Sequence, residues 1–162
     1  MEERIVKAET KDLCEILRVY ETARKFMKET GNASQWGDGY PKKDLLESDI
    51  ENGRLFVFKT GEEIHAVFAF ALGDDPTYRV ITDGQWLSSD PYGTIHRVAS
   101  DGVLHGVLSK AVAFCKEKTK HLRIDTHEDN KIMQRQIEKN GFQRCGIIFE
   151  PDLSPRIAYE MI

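Results

Sequence analysis

Between residues 94 and 149 the apolar period switches from two to about 3.6 and back, twice over, and this alternation constrains the fold more than any other feature of the chain. Residues 94–99 read as a strand, 100–105 as a glycine-containing turn, and 106–118 as a helix with Val107, Leu108, Ala111, Val112 and Cys115 inward. Residues 122–126 are another strand, 130–140 a helix closed by Gly141, and 142–149 a strand. The turn 151–155 leads into a last strand, 156–161.

Upstream, residues 5–8 are a short strand candidate and Thr10 a helix cap. Leu13, Ile16, Leu17, Tyr20, Ala23 and Met27 follow at helical spacing as far as Gly31. Residues 32–41 form a loop carrying Trp36 and Tyr40, and 42–52 a second helix ending at Gly53. The Val- and Phe-rich runs 55–59 and 64–72, around Thr60, Gly61 and Glu62, are written as a β-hairpin. Residues 73–93 are turn-rich, with 78–81 a further strand candidate. The order is strand-helix-helix, a β-meander, then βαβα and a closing hairpin. That is an α+β chain with a mixed, mostly antiparallel sheet flanked by helices, and its 162 residues fit one domain over 1–162.

Composition narrows the function. With 23 Lys and Arg against 27 Asp and Glu, the net charge of −4 argues against a general nucleic-acid or anionic-membrane binder. The apolar run 66–72 is far shorter than the roughly 18 residues a membrane span needs. The start Met1, Glu2, Glu3, Arg4 lacks a secretory layout, so a cytoplasmic location is expected. Cys14, Cys115 and Cys145, far apart and without CxxC spacing, read as reduced thiols, mostly buried.

Two segments carry chemistry. The first, residues 98–107, feeds a strand through Gly102 and Gly106 into a helix start, where unpaired N–H groups and the helix dipole suit a phosphate. The second runs from Leu122, Arg123, Ile124, Asp125 and Thr126 through His127 and Asn130 to Lys139, Asn140, Gly141 and Phe142. Its strand with a polar end, Asn at a helix start and Lys-x-Gly-Phe exit resemble the second half of the GNAT-type acyl-CoA N-acyltransferases. The likeness extends in element order over nearly the whole chain, including Ala8, Glu9, Thr10, Asp12 and Leu13.

That resemblance implies an N-acetyltransferase passing an acetyl group from acetyl-CoA, its co-substrate, to a primary amine, with no metal. It implies that the strand at Val98 and Ala99 splays from 122–126, their backbone amides holding the pantetheine arm and the thioester carbonyl. It places the pyrophosphate turn over Val103, Leu104, His105, Gly106, Val107, Leu108 and Ser109, with Lys110 nearby, and further coenzyme contacts at Asn130, Met133 and Lys139. Val103 and Leu108 depart from the family turn, and Ile137 replaces its usual tyrosine acid.

An amine of pKa about 10 must lose a proton before it attacks, so a base is needed. His127 and His96 are the candidates, with Glu128 a further one, while Arg97 reads as an ion-pair former on the opposite strand face from His96 and Val98. Trp36 and Tyr40, with Asp38, form a candidate wall for the acceptor amine, a small molecule or peptide; Trp86 and Tyr92 close the other side. His121 and His127 lack zinc-type spacing partners, and Cys115 and Cys145 fall in apolar patterns. Two alternatives stay open: an acyl-CoA or small-molecule binding module that has lost catalysis, and a nucleotide-binding interaction domain. A homodimer stays open as the assembly.

Overall fold

In the computed structural model, which describes residues 2–162, the chain forms two compact units, each with its own core. The first comprises the residues up to Phe70 together with His96–Val107. It holds β1 (Glu3–Lys7), α1 (Leu13–Glu29), α2 (Lys43–Glu51), β2 (Leu55–Thr60) and most of β3 (Glu63–Leu72). β1 and β3 both pair antiparallel with β2, and Gly61 at φ +64 makes the tight hairpin turn that a Cβ would strain. Ile16, Val19, Tyr20 and Ala23 are buried along one stripe of α1 and pack with Leu46, Val57, Val67 and Ala99. The helix entry differs from the expectation at Thr10. Glu9 and Asp12 form a reciprocal capping box around a single 3-10 turn, and Thr10 lies inside it. Asp12 can be buried there because Lys59 of β2 meets it at 3.2 Å.

The second unit comprises Ala71–Ile95 and Leu108–Ile162. The first three residues of β4 (Gly93–Ser100) belong to it, with nearly all of α3 (Val107–Lys116) and the whole of β5 (Leu122–Thr126), α4 (Lys131–Lys139), β6 (Gln143–Phe149) and β7 (Pro155–Met161). β4 and β5 pair in parallel, whereas β7 pairs antiparallel with both β5 and β6. The sheet order is β1-β2-β3-β4-β5-β7-β6, which bears out the mixed, mostly antiparallel sheet with flanking helices. Strand and helix boundaries follow the periodicity within a few residues.

The expected strand at 78–81 does not form. Pro76 and the Asp75 side chain, which accepts the Thr77 N–H at 2.9 Å, set a 3-10 turn over Pro76–Tyr78 instead. The loop then lies along β6 through one antiparallel bridge, Thr82↔Ile147. Glycine permits that approach: a Cβ on Gly146 would come within 2.4 Å of the Thr82 carbonyl oxygen, and one on Gly84 within 1.8 Å of that of Cys145.

The same loop is tied inward by charge. Arg123 of β5 lies between the rings of Trp86 and Tyr92, 3.9 Å from each centroid, and donates to the Ser88 carbonyl at 2.8 Å. Its Nε and the Nε2 of His121 both sit 2.6 Å from Oε2 of Glu160, whose other oxygen accepts the Leu87 N–H. Burial raises the Glu160 pKa, but these three partners outweigh it and hold the carboxyl below its ordinary range. Removing one member of such a buried set leaves the rest uncompensated. Glu160→Ala is expected to cost about 3 to 5 kcal/mol of unfolding free energy, measured by urea denaturation, with amide exchange rising over residues 85–92.

Candidate active site

β4 carries the first part of the site. Its parallel ladder with β5 ends at Ile95↔Ile124, and two residues further on Arg97 stands at φ +53. A side chain in this left-handed region costs roughly 1 to 2 kcal/mol because Cβ crowds the following carbonyl. It also interrupts the alternation of the strand, so a shared face for His96 and Val98 no longer follows from spacing. Arg97 is an ion-pair former, but its partner is on a helix. The guanidinium meets Asp49 of α2, a carboxylate 2% exposed that also lies 3.6 Å from Arg54. The Tyr20 hydroxyl of α1 donates to the Arg97 carbonyl at 2.8 Å. Burial pushes the Tyr20 phenol far above its ordinary pKa, so it remains a donor throughout the working pH range. Arg97 Nε is buried with no hydrogen-bond partner, a further cost that this segment carries.

The turn after β4 is held by Asp101. Its N–H donates to the His65 carbonyl at 3.0 Å, and its carboxylate, 5% exposed, accepts from His65 Nδ1 at 2.8 Å, Arg18 at 3.3 Å and the Val103 N–H at 3.1 Å. Ser100 Oγ accepts the Gly102 N–H at 3.1 Å. α1 and β3 therefore set the path by which the chain reaches the start of α3. Gly102 and Gly106 have φ +89 and +68, and a Cβ on either would meet no atom within 4 Å. Open space beside Gly106 at a helix start is what an approaching anion requires. Val103, His105 and Lys110 are exposed and Leu104 half-buried, whereas the Val107 and Leu108 side chains are in the core and leave only backbone groups to a ligand. The exposed Ser109 hydroxyl donates to Asn140 Oδ1 at 2.8 Å and ties α3 to α4.

The link from β5 to α4 is built by its own polar side chains. Asn130 is the N-cap of α4, its Oδ1 accepting the Met133 N–H at 3.1 Å. His127 Nδ1 accepts the Asp129 N–H at 3.0 Å, and the His127 carbonyl takes the Gln134 side-chain amide at 3.1 Å. The Asp129 carboxylate lies 3.6 Å from the same ring nitrogen, so His127 is held by its own loop. Met133 is half-buried and Lys139 exposed.

No protein-family model and no curated protein matches the chain. Solved structures do. A GNAT-family acetyltransferase from Streptococcus agalactiae superposes with a TM-score of 0.86 at 30% identity, covering 99% of this chain and 95% of that one. The chain belongs to the GNAT acetyltransferase family. A GNAT acetyltransferase from Listeria monocytogenes (TM-score 0.66, 20% identity, 99% and 94% covered) shares the fold. So does a ribosomal-protein-alanine N-acetyltransferase from Brucella melitensis (0.63, 13%, 98% and 99%).

In this GNAT protein Ile137 is fully buried in the core and offers no hydroxyl. Trp36 meets Tyr20 edge-on at 5.6 Å and Tyr40 at 6.3 Å, so the loop aromatics are anchored to α1, with Tyr40 38% exposed. Asp38 of the same loop is exposed and paired with Lys28 of α1, which lowers its pKa. Trp86 and Tyr92 hold Arg123 between their rings. Among the described residues no group of three or more His, Cys, Asp or Glu could hold a metal ion, and no helix is long and apolar enough to cross a membrane. All three cysteines are free; burial pushes Cys115 up to about 12 and Cys145 to about 11, where thiolates do not form at neutral pH. The Asp101–His65–Arg18 and Asp49–Arg97–Tyr20 sets have no sequence signature, since their members lie on separate elements.

The His65 ring, bonded first by Asp101 and then by Glu63, has a raised pKa despite burial. A raised folded-state pKa stabilises fully below the unfolded value near 6.5 and ceases to do so as pH climbs through the folded value. The melting-temperature gap between the natural protein and His65→Gln should therefore be widest below about pH 6.5 and shrink as pH rises, in a thermal-melt series across pH.

Proposed function

We propose that the chain is an acetyl-CoA-dependent N-acetyltransferase in which a primary amine attacks the thioester directly. The observation that supports this most is the turn before α3, where Gly106 has a left-handed φ and open space beside it. In this reading the pyrophosphate lies against Gly106 and the N–H at the start of α3, and the thioester carbonyl accepts the Val98 N–H. The leaving thiol, with a pKa of about 8.5, departs as a thiolate without a protein acid, so Ile137 is compatible with turnover. Holding amine and carbonyl in line supplies much of the rate, roughly 7 to 11 kcal/mol in ideal cases.

In the same reading His96 is the route for the amine proton, with His127, whose Nδ1 accepts the Asp129 N–H, as the alternative. The acceptor is an amine of a small molecule or a peptide terminus, met at Trp36 and Tyr40; a ribosomal-protein alanine is what the Brucella melitensis relative is named for. The free thiols suit a reducing compartment such as the cytoplasm. Buried Ile137 favours one second reading, an acyl-CoA binding module without turnover.

Acetyl-CoA at about 100 times its Kd should add roughly 2.7 kcal/mol of stability, visible as a thermal shift. Gly106→Asp, whose Cβ and carboxylate would stand where the phosphate belongs, should abolish that shift. No shift with the natural protein at millimolar acetyl-CoA would reject coenzyme binding. Once an amine panel supplies an acceptor, His96→Ala should lower turnover by about 100- to 10,000-fold, whereas His127→Ala should chiefly lower the melting temperature. No turnover with any amine, despite tight binding, would favour the module.

A further inference from the structure

The left-handed residue in β4 does not hold itself. An arginine placed between strand residues prefers the extended region, and relaxing there changes both dihedrals of residue 97: φ turns the 96–97 peptide against Cα, and ψ turns the peptide plane that joins residues 97 and 98. That plane carries the Arg97 carbonyl at one side and the Val98 N–H at the other, pointing in opposite directions because the peptide is planar and trans. Whatever orients the carbonyl also aims the N–H.

We propose that Tyr20, Asp49 and Arg97 form a clamp that locks this peptide plane and directs the Val98 N–H at the thioester carbonyl, making the three side chains positioning residues for acetyl transfer. The proposal rests on the acetyltransferase reading given above. Two ties converge on one residue from two helices. The Tyr20 hydroxyl of α1 donates to the Arg97 carbonyl at 2.8 Å, while Asp49 of α2 holds the guanidinium by an ion pair. Neither tie is loose. Tyr20 is fully buried and backed by the Trp36 ring at 5.6 Å, and the Asp49 carboxylate is 2% exposed and steadied by Arg54.

The hydroxyl does a second thing. A hydrogen bond into a peptide carbonyl polarises the whole amide, so the N–H on its far side becomes a stronger donor. The chain Tyr20 O–H to Arg97 carbonyl, then Val98 N–H to thioester oxygen, is ready before substrate arrives. Such preorganised donors act where negative charge develops on the carbonyl oxygen during attack.

The test uses Tyr20→Phe, Asp49→Asn and the double variant Asp49→Asn with Arg97→Gly. Crystal structures of the folded variants should show residue 97 leaving the left-handed region in Asp49→Asn, and the 97–98 peptide turning in Tyr20→Phe. Turnover at saturating acetyl-CoA should fall about 10- to 100-fold in each, somewhat less than the loss of a whole oxyanion donor, with the acetyl-CoA Kd changed less than about twofold. The infrared stretch of the bound, 13C-labelled thioester carbonyl should move up as the donor weakens. Glycine takes a left-handed φ without help, so Arg97→Gly should restore much of the turnover that Asp49→Asn loses, which a merely structural ion pair would not allow. If Asp49→Asn fails to fold, Tyr20→Phe still decides. An unchanged peptide plane in the variants overturns the clamp whether or not acetyl-CoA binds; a natural protein that ignores acetyl-CoA removes the acetyltransferase reading alone.

Discussion

A β-strand that must carry a left-handed arginine needs support from outside itself, and much of the N-terminal unit can be read as that support. Tyr20 reaches Arg97 from the buried stripe of α1, and Asp49 reaches it from α2. Asp101, a few residues on, is held by Arg18 of the same α1 and by His65 of β3. The packing of Ile16, Val19 and Ala23 into the core fixes where Tyr20 and Arg18 can stand. A core substitution in α1 thus acts on the path of β4, whose Ala99 packs in the same cluster.

The elements were legible because each is coded locally. Leu13 to Met27 carry a helical period, and the runs around Gly61 carry a hairpin, so neither needs knowledge of distant neighbours. Residues 78–81 misled because Val80 and Ile81 favour a strand, while Pro76 and the Asp75 cap a few positions earlier bend the chain into a 3-10 turn. The candidate site was legible only as backbone: the glycine turn, the Asn cap and the two strands. What could not be read were partners far apart in sequence, such as Tyr20 with Arg97 or Leu87 with Glu160.

Several polar residues that resemble ligands when taken singly turn out to be occupied by the scaffold. Ser109 bonds Asn140, Asp38 pairs with Lys28, His127 takes the Asp129 N–H and Asn130 caps α4. An N-terminal cap and a coenzyme contact both ask for a short amide side chain at a helix start, so residue type alone does not separate them. Gly102 and Gly106 expose main chain where nothing crowds it, and amides need no particular residue type to donate.

β7 follows β6 in the chain yet lies between β5 and β6 in the sheet. While the protein is being synthesised, β6 has the loop residues Thr82 and Gln85 bonded along it but no strand beside it until the later segment slides in. The same arrival brings Glu160 to His121, Arg123 and the Leu87 amide, which until then lack their carboxylate. Glu160, near the end of β7, therefore adds the last of the ties that hold loop 73–92. Cofactor-independent folding intermediates of this protein should be distinguished by an unfastened loop and an exposed β6, the two surfaces a chaperone would meet.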